Sequence, residues 1–174
     1  MISLLEAVLV FVPMIIEARR AARNEQLQRA RGGVEPRADV YPTMRIVYPA
    51  AFAAMILEGA LRGAPPRAWF DAGLAVFAAG KALKWWAILT LGPFWTFRVV
   101  VVPGAALVSR GPYRFLRHPN YVGVVLELAG AALMTGAAVS GPAAIVLFLM
   151  LLKRRVSVEE QALDSAARHR PCSL

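Results

Sequence analysis

Long apolar runs alternate with short polar segments along this chain, and the runs predict five helices. The first three runs cover residues 2–16, about 46–61 and about 69–91. A fourth run, 121–152, is too long for one membrane-crossing helix of about 20 residues. The turn-forming sequence Ser140-Gly141-Pro142 divides it, which predicts a helical hairpin whose first arm ends near Val139 and whose second arm starts near Pro142.

The composition supports a membrane location for these helices. Apolar residues make up 58% of the 174 positions, and the mean hydropathy is +0.53, which is too high for an ordinary soluble domain. We therefore predict an all-α integral membrane bundle of about five transmembrane helices, forming a single domain over 1–174. The first run lacks the basic start and the small-residue cleavage site of a signal peptide, so we expect it to be retained.

The net charge of +9 is explained by where the basic residues fall. Fifteen of them lie in three segments, namely 17–45, 99–120 and the part after Leu152, whereas the opposite connections hold only Arg62 and Arg67. The positive-inside rule then places the N-terminus outside and the C-terminus in the cytoplasm, in a multi-pass protein of the cell inner membrane. Because the positive-inside rule accounts for the basic residues, the chain is not expected to bind nucleic acid. The partner that we expect for its surface is the lipid bilayer. The lone cysteine, Cys172, excludes an internal disulfide and a cysteine-based zinc cluster, so no metal is expected.

The polar segment before the fourth run predicts a helix that begins at Pro119. Proline suits the first helical position and biases His118 away from helical geometry. Unpaired N–H groups and the helix dipole would then combine with Arg117 to form an anion site at the edge of the membrane. An alternative is that the arginines of this loop only anchor the helix to lipid headgroups.

Six charged residues interrupt the apolar runs, and each costs free energy unless it is paired or reaches water. They are Glu6, Glu58, Asp71, Lys81, Lys84 and Glu127. We expect the two lysines to extend toward the interface. Glu127 should lie about 12 Å into the fourth helix. It should therefore face the bundle interior, where it either pairs with a lysine of the third helix or contacts a substrate. Small residues such as Gly130 should allow close packing of neighbouring helices.

A second polar cluster follows the last apolar run, over residues 153–163. If the helix continues there, Arg155 and Glu159 lie four residues apart on one face, while Glu160 points elsewhere. The cluster could be a solvated helix end with one local ion pair. The hairpin nevertheless returns it to the membrane side of the RHPNY sequence, so the two clusters can meet.

Together these sequences resemble a known family. GPYRFLRHPNYVG, then an apolar hairpin, then RRVSVEEQAL, is similar to the isoprenylcysteine carboxyl methyltransferase family, and in particular to its short bacterial members. The resemblance covers about 84–163, and its two-part signature is RHPxYxG followed about 35 residues later by RxxxEExxL. The stretch LGPFWTFRVVVVPGAALVSRGPY also looks like the family's lead-in to a cofactor site. The family's usual tail is replaced by DSAARHRPCSL.

The resemblance implies a helical membrane enzyme that uses S-adenosylmethionine and binds it in 84–163, behind the N-terminal membrane helices of 1–83. Arg155 would lie on the substrate side, beside the transferable methyl, as catalytic residue. The implied cofactor-binding residues, with Arg117 from the anion site above, are Ala105, Ala106, Leu107, Val108, Tyr113, Arg117, His118, Pro119, Asn120, Tyr121 and Glu159. A helix N-terminus suits the cofactor carboxylate, and a glutamate suits its ammonium or ribose hydroxyl groups.

The implied reaction is methyl transfer to a carboxylate or hydroxyl oxygen of a lipophilic acceptor, either an isoprenylcysteine-like group or a phenolic lipid. A carboxylate acceptor needs no base, whereas a hydroxyl must lose its proton, for which Glu127 is a candidate on the substrate side. No GxGxxG sequence occurs, which excludes a dinucleotide-binding enzyme of the Rossmann type.

Three alternatives stay open at this point. A phospholipid N-methyltransferase would keep the cofactor and transfer to nitrogen. A sterol-reductase-like enzyme would share the membrane fold and use a nicotinamide. A small membrane transporter or scaffold would use the same helices without catalysis.

Overall fold

The computed structural model describes residues 2–36, 39–105 and 108–168. Within these ranges five α-helices follow one another: α1 (Ile2–Ala30), α2 (Tyr41–Arg62), α3 (Arg67–Leu91), α4 (Pro119–Thr135) and α5 (Ser140–Arg168). The long connection between α3 and α4 contains two 3₁₀ turns, Gly92–Phe94 and Gly111–Arg114. In these three described ranges there is no strand, only an isolated bridge between Val34 and Val101, so the predicted all-α class is confirmed.

Among the residues that the structure describes, two segments are long and apolar enough to cross a membrane: Tyr41–Arg62 and Arg67–Phe94. Helix α4 has 17 residues and, at 1.5 Å per residue, is about 25 Å long. Helices α1 and α5 have 29 residues each and pass from an apolar half into a charged half. The helices indicate a membrane-associated protein, and five crossings remain a prediction.

Helix α1 continues well beyond the apolar run that predicted it. The sequence predicted a first helix over 2–16 and left the basic segment 17–45 as a connection to the second, and this is wrong for 17–30, because the helix continues to Ala30. The reason is a second periodicity beneath the arginines, because Glu17, Ala21, Asn24 and Gln28 are all buried and recur at intervals of three or four residues. Polar residues with helical spacing therefore form the buried side of this extension.

Helices α3 and α4 pack with their backbones in close contact. A Cβ atom added to Gly130 would lie 2.4 Å from the Phe77 nitrogen, and one added to Gly123 would lie 2.9 Å from the Gly80 carbonyl oxygen. Side chains at these positions would force the helices apart, so the predicted close packing through small residues is confirmed at Gly130. The apolar core beside this contact includes Phe52, Met55 and Leu128, all with 0% exposure.

The α4–α5 hairpin forms one turn earlier than the sequence suggested. Helix α4 ends at Thr135 with Gly136 in the left-handed conformation (φ 67°), and α5 already begins at Ser140. Glu58 of α2 accepts hydrogen bonds from the Val139 and Ser140 N–H groups at 3.0 and 2.7 Å. A carboxylate from a neighbouring helix thus satisfies backbone donors at the start of α5, where the helix dipole favours negative charge.

Candidate functional site

The start of α4 has the geometry that its proline predicted. Pro119 is the first residue of the helix, and His118 precedes it with a non-helical backbone (φ −129°, ψ 63°). The N–H groups of Tyr121 and Val122 both donate to the His118 carbonyl, and proline has no N–H. Within the described part of the chain, this leaves the N–H of Asn120 as the first-turn donor that an anion could use.

The hydroxyl of Tyr121 connects the two polar clusters of the sequence. It donates to Glu159 Oε2 at 2.6 Å, and it accepts a hydrogen bond from Arg155 Nε at 3.2 Å. A local ion pair between Arg155 and Glu159 was one interpretation of the sequence, and in the structure both side chains bind this shared hydroxyl group instead. The start of α4 and the charged half of α5 therefore meet, as the hairpin argument predicted.

His118 lies against the same carboxylates. Its ring stacks on Tyr121 with centroids 5.3 Å apart, and its Nδ1 is 3.9 Å from Glu159 Oε2. Its Nε2 is 3.6 Å from Glu160 Oε1, and Glu160 also lies 3.6 Å from Arg117. The prediction that Glu160 points away from this cluster is wrong, because Glu160 faces the residues just before α4. Arg117 itself is 89% exposed, so its pairing with Glu160 is open to solvent.

Arg155 is buried and reaches beyond Tyr121. Its side chain is 6% exposed, its Nη1 is paired with Asp39, and its Nη2 donates to the Phe97 carbonyl at 2.5 Å. Asp39 Oδ2 in turn accepts from the Val99 N–H at 3.0 Å. The sequence did not identify Asp39, since no motif surrounds it and its partner lies in the last helix.

The connection after α3 is held by the polar side of α1. Asn24 Nδ2 donates to the carbonyl oxygens of Gly92 and Trp95 at 3.0 and 2.8 Å, and Gln28 Nε2 donates to the Pro93 carbonyl at 3.1 Å. The Trp95 indole N–H then donates to Asn120 Oδ1 at 3.3 Å. Neither Asn24 nor Gln28 was a candidate from sequence, yet both help to place the residues before α4.

The remaining cofactor candidates follow in that connection. Ala105 lies just after a turn in which Gly104 has φ 79°, and Val108 precedes the second 3₁₀ turn. Ala106 and Leu107 lie outside the described residues. Tyr113 is half-buried in the second 3₁₀ turn, and its burial together with the negative charge of Glu159 raises the pKa of its hydroxyl. The group therefore stays protonated and can donate a hydrogen bond.

Glu127 belongs to a buried ionic network with Glu17, Lys81, Lys84 and Tyr48. Lys84 Nζ lies 2.6 Å from Glu17 Oε2 and 3.5 Å from Glu127 Oε2. Lys81 Nζ lies 3.0 Å from both carboxylates, and the Tyr48 hydroxyl donates to Glu127 Oε2 at 2.5 Å. The expectation that the lysines extend toward the interface is wrong for Lys84, which is 2% exposed. Carboxylates on two other helices compensate its charge where it lies.

In the described part of the chain, two carboxylate oxygens of this network, Glu17 Oε2 and Glu127 Oε1, are buried without a hydrogen bond, although Glu17 Oε2 lies 2.6 Å from Lys84 Nζ. Among the described residues, His118 Nε2 at the start of α4 is also buried without a hydrogen-bond partner. The same residues contain no group of three or more side chains suited to hold a metal ion.

Comparisons with known proteins show which family this chain is similar to. A sequence model of the isoprenylcysteine carboxyl methyltransferase (ICMT) family matches residues 73–165. The uncharacterized protein YpbQ of Bacillus subtilis is 34% identical over 94% of this chain and 97% of its own length. An uncharacterized protein of Haemophilus influenzae is 24% identical over 82% of this chain and 83% of its own. Protein-S-isoprenylcysteine O-methyltransferase A of Arabidopsis thaliana is 30% identical over 53% of this chain and 48% of its own. No solved structure matches.

Proposed function

Because the chain belongs to the isoprenylcysteine carboxyl methyltransferase family, we propose that it is a membrane enzyme that transfers a methyl group from S-adenosylmethionine to an oxygen of a lipophilic acceptor. The acceptor oxygen belongs to a carboxylate, as in an isoprenylcysteine, or to a hydroxyl of a phenolic lipid. The observation that carries the proposal is the 2.6 Å hydrogen bond between Tyr121 and Glu159, which unites both halves of the family signature.

The residues around this bond suit the polar groups of the cofactor. Glu159 offers a carboxylate to an ammonium group or to ribose hydroxyls, and the N–H of Asn120 and the exposed Arg117 suit a carboxylate. His118 and Tyr121 supply stacked rings and Pro119 the helix start, while Tyr113 contributes a protonated hydroxyl. The backbone of 105–108 completes the proposed binding set.

The sulfonium of the bound cofactor supplies an electrophilic methyl group, so no covalent protein nucleophile is required. The protein has to align donor and acceptor and to exclude water. Arg155 is proposed as the catalytic residue because its planar guanidinium can hold a carboxylate or stabilise a developing oxyanion. Its burial beside Tyr121 makes such an interaction stronger than it would be in water.

A hydroxyl acceptor would also have to lose a proton. Glu127 is proposed for the substrate side in that case, since its Oε2 faces Tyr48 and the lysines while its Oε1 is buried without a hydrogen-bond partner in the described chain. A carboxylate acceptor makes no such demand. The two acceptor classes thus differ in whether Glu127 matters for turnover.

We propose the cell inner membrane as the location, with the N-terminus outside and the cofactor site cytoplasmic. The three basic segments meet in the structure: Arg155 of α5 pairs with Asp39, the Val99 N–H donates to Asp39, and Arg117 lies 3.6 Å from Glu160. This shared face supports one membrane side for all three. A soluble cofactor would then enter from the cytoplasm and a lipophilic acceptor from the bilayer.

Titration of the detergent-purified protein with S-adenosylmethionine, monitored by calorimetry, tests the proposal. We expect saturable binding of S-adenosylmethionine and of its demethylated product, and none of a nicotinamide dinucleotide. Labelled methyl transfer is then measured to a prenylated cysteine, a long-chain phenol and a phospholipid amine. Binding of the nicotinamide alone would favour the reductase alternative, no binding at all would favour a transporter or scaffold, and transfer only to the amine would identify an N-methyltransferase.

A further inference from the structure

Asp39 lies outside the part of the chain that matches the family model, yet its carboxylate pairs with Arg155. Besides the arginine, Asp39 Oδ1 accepts from the Tyr41 N–H and Oδ2 accepts from the Val99 N–H, both at 3.0 Å. The side chain is 4% exposed. Two backbone donors from different segments therefore fix the position of this carboxylate, so the arginine meets an acceptor that cannot easily turn.

The guanidinium of Arg155 is correspondingly constrained. Its Nε, Nη1 and Nη2 donate to acceptors on three separate segments: Tyr121 of α4, Asp39 before α2 and Phe97 after α3. A guanidinium carries five N–H donors, so at most two remain for an acceptor oxygen. Of the three partners, only Asp39 carries a negative charge at neutral pH. It is therefore the partner that compensates the buried cation.

We propose that Asp39 is a positioning residue for the methyl transfer. It fixes the plane of the Arg155 guanidinium, and thereby the direction in which the remaining N–H groups meet the acceptor oxygen. This inference rests on the proposed function, and it assigns Asp39 no contact with cofactor or acceptor. The reason for expecting a kinetic effect is geometric, because small misplacements of a group that orients the reacting atoms slow the chemical step.

The isosteric variant Asp39→Asn tests this directly. An amide turns its NH₂ group toward a donor, either the arginine or the Val99 N–H, so the arrangement cannot be kept. We expect kcat to fall by about 10- to 100-fold while the cofactor Kd changes by less than about threefold. Glu35→Gln is the matched control: Glu35 lies in the same connection and binds Arg29 and Arg98, each at 2.5 Å, and it should leave kcat unchanged.

A double-mutant cycle with Arg155→Lys separates positioning from a general structural role. If Asp39 acts through Arg155, adding Asp39→Asn to Arg155→Lys should lower kcat by no more than about twofold beyond Arg155→Lys alone. Multiplicative losses would overturn the inference. So would a loss of cofactor affinity in Asp39→Asn as large as its loss of kcat. If Asp39→Asn fails to fold, Asp39→Glu retains the charge in a longer side chain and should fold with reduced kcat. Wild-type kcat in that variant would contradict the proposal.

One readout does not depend on turnover. The Nε–H resonance of Arg155 in ¹⁵N-labelled protein, assigned by its absence from Arg155→Lys, should be protected from exchange in the wild type and in Glu35→Gln. In Asp39→Asn it should shift and lose that protection. If the wild-type protein neither binds S-adenosylmethionine nor transfers a methyl group, the proposed function fails, whereas an unchanged resonance in Asp39→Asn would show that Asp39 does not hold the arginine.

Discussion

The Tyr121 hydroxyl lies 2.6 Å from Glu159 Oε2, although 38 residues separate the two along the chain. Tyr121 belongs to the first turn of α4, and Glu159 to the charged half of α5. Because the same hydroxyl accepts from Arg155, it lies between the residue proposed to bind the cofactor and the residue proposed to act on the acceptor.

Tyr121→Phe removes this shared hydroxyl and should weaken cofactor binding. A hydrogen bond to a charged group contributes about 1.5–3 kcal/mol, which corresponds to a Kd increase of about 10- to 150-fold. Calorimetry with S-adenosylmethionine measures it. Tyr48→Phe is the matched control, since Tyr48 also donates to a glutamate, Glu127, in the ionic network. Equal losses in both variants would mean that the effect is not specific to the site.

Glu159→Ala and His118→Ala should each reduce affinity for S-adenosylmethionine by about 1–3 kcal/mol, because each removes a proposed polar partner of the cofactor. Glu160→Ala serves as the comparison, since its side chain is 47% exposed and its pairing is screened by solvent. We expect the free energy of S-adenosylmethionine binding to change by less than about 0.5 kcal/mol in this variant. Wild-type affinity in the first two variants, with folding intact, would place the cofactor elsewhere.

Arg155→Lys should separate rate from binding. A lysine lacks the planar guanidinium group and cannot donate hydrogen bonds to three protein acceptors and a substrate oxygen at the same time. Turnover should therefore fall by at least about tenfold while the cofactor Kd changes little. A methylation assay beside a cofactor titration measures both quantities. Parallel losses of turnover and affinity would indicate that Arg155 acts only through its neighbours at the cofactor site.

Lys84→Met should destabilise the helical bundle, because it leaves Glu17 and Glu127 with a single lysine in a buried site. Breaking such a pairing costs about 3–5 kcal/mol. Adding Glu17→Gln restores neutrality and should recover part of the loss. The apparent unfolding temperature in detergent reports the change, and Lys153→Met, at an exposed position, should leave it unchanged. A double variant less stable than Lys84→Met would contradict charge compensation.

Reporter fusions test the proposed topology. The distribution of basic residues predicts that the α2–α3 connection is outside and the C-terminus in the cytoplasm. A fusion at Pro66 should therefore give a periplasmic signal and one after Leu174 a cytoplasmic signal. A cytoplasmic signal at Pro66 would contradict the five-span arrangement.

The local signals in the sequence predicted local structure well. Pro119 predicted the start of α4, and the break after Val139 predicted a hairpin that brings α5 back to the start of α4. That the two polar clusters can meet followed from these two features, whereas the contacts of Tyr121 with Arg155 and Glu159 were found only in the structure. For Glu127, the interior position and the pairing with a lysine were also among the predictions.

Partners from distant segments could not be predicted in the same way. Nothing near Asp39 indicates that it binds Arg155, since that pairing depends on how two connections pass over the end of the bundle. The buried face of 17–30 was missed for a different reason. Three of its four inward positions, Glu17, Asn24 and Gln28, are polar, so a search for apolar periodicity finds no helix there. These polar side chains can be recognised as buried only once the positions of their partners, such as Lys84 and the Trp95 carbonyl, are known.

The pairing of charges across the chain limits how this protein can be recombined with its relatives. Lys84 and Arg155 lie inside 73–165, but Glu17 and Asp39, which compensate them, lie before it. A chimera that exchanged only the N-terminal segment for one without equivalent carboxylates would bury Arg155 without its paired carboxylate and would leave Lys81 and Lys84 to share Glu127. The units that can be exchanged are therefore pairs, Glu17 with Lys84 and Asp39 with Arg155, rather than contiguous stretches of sequence.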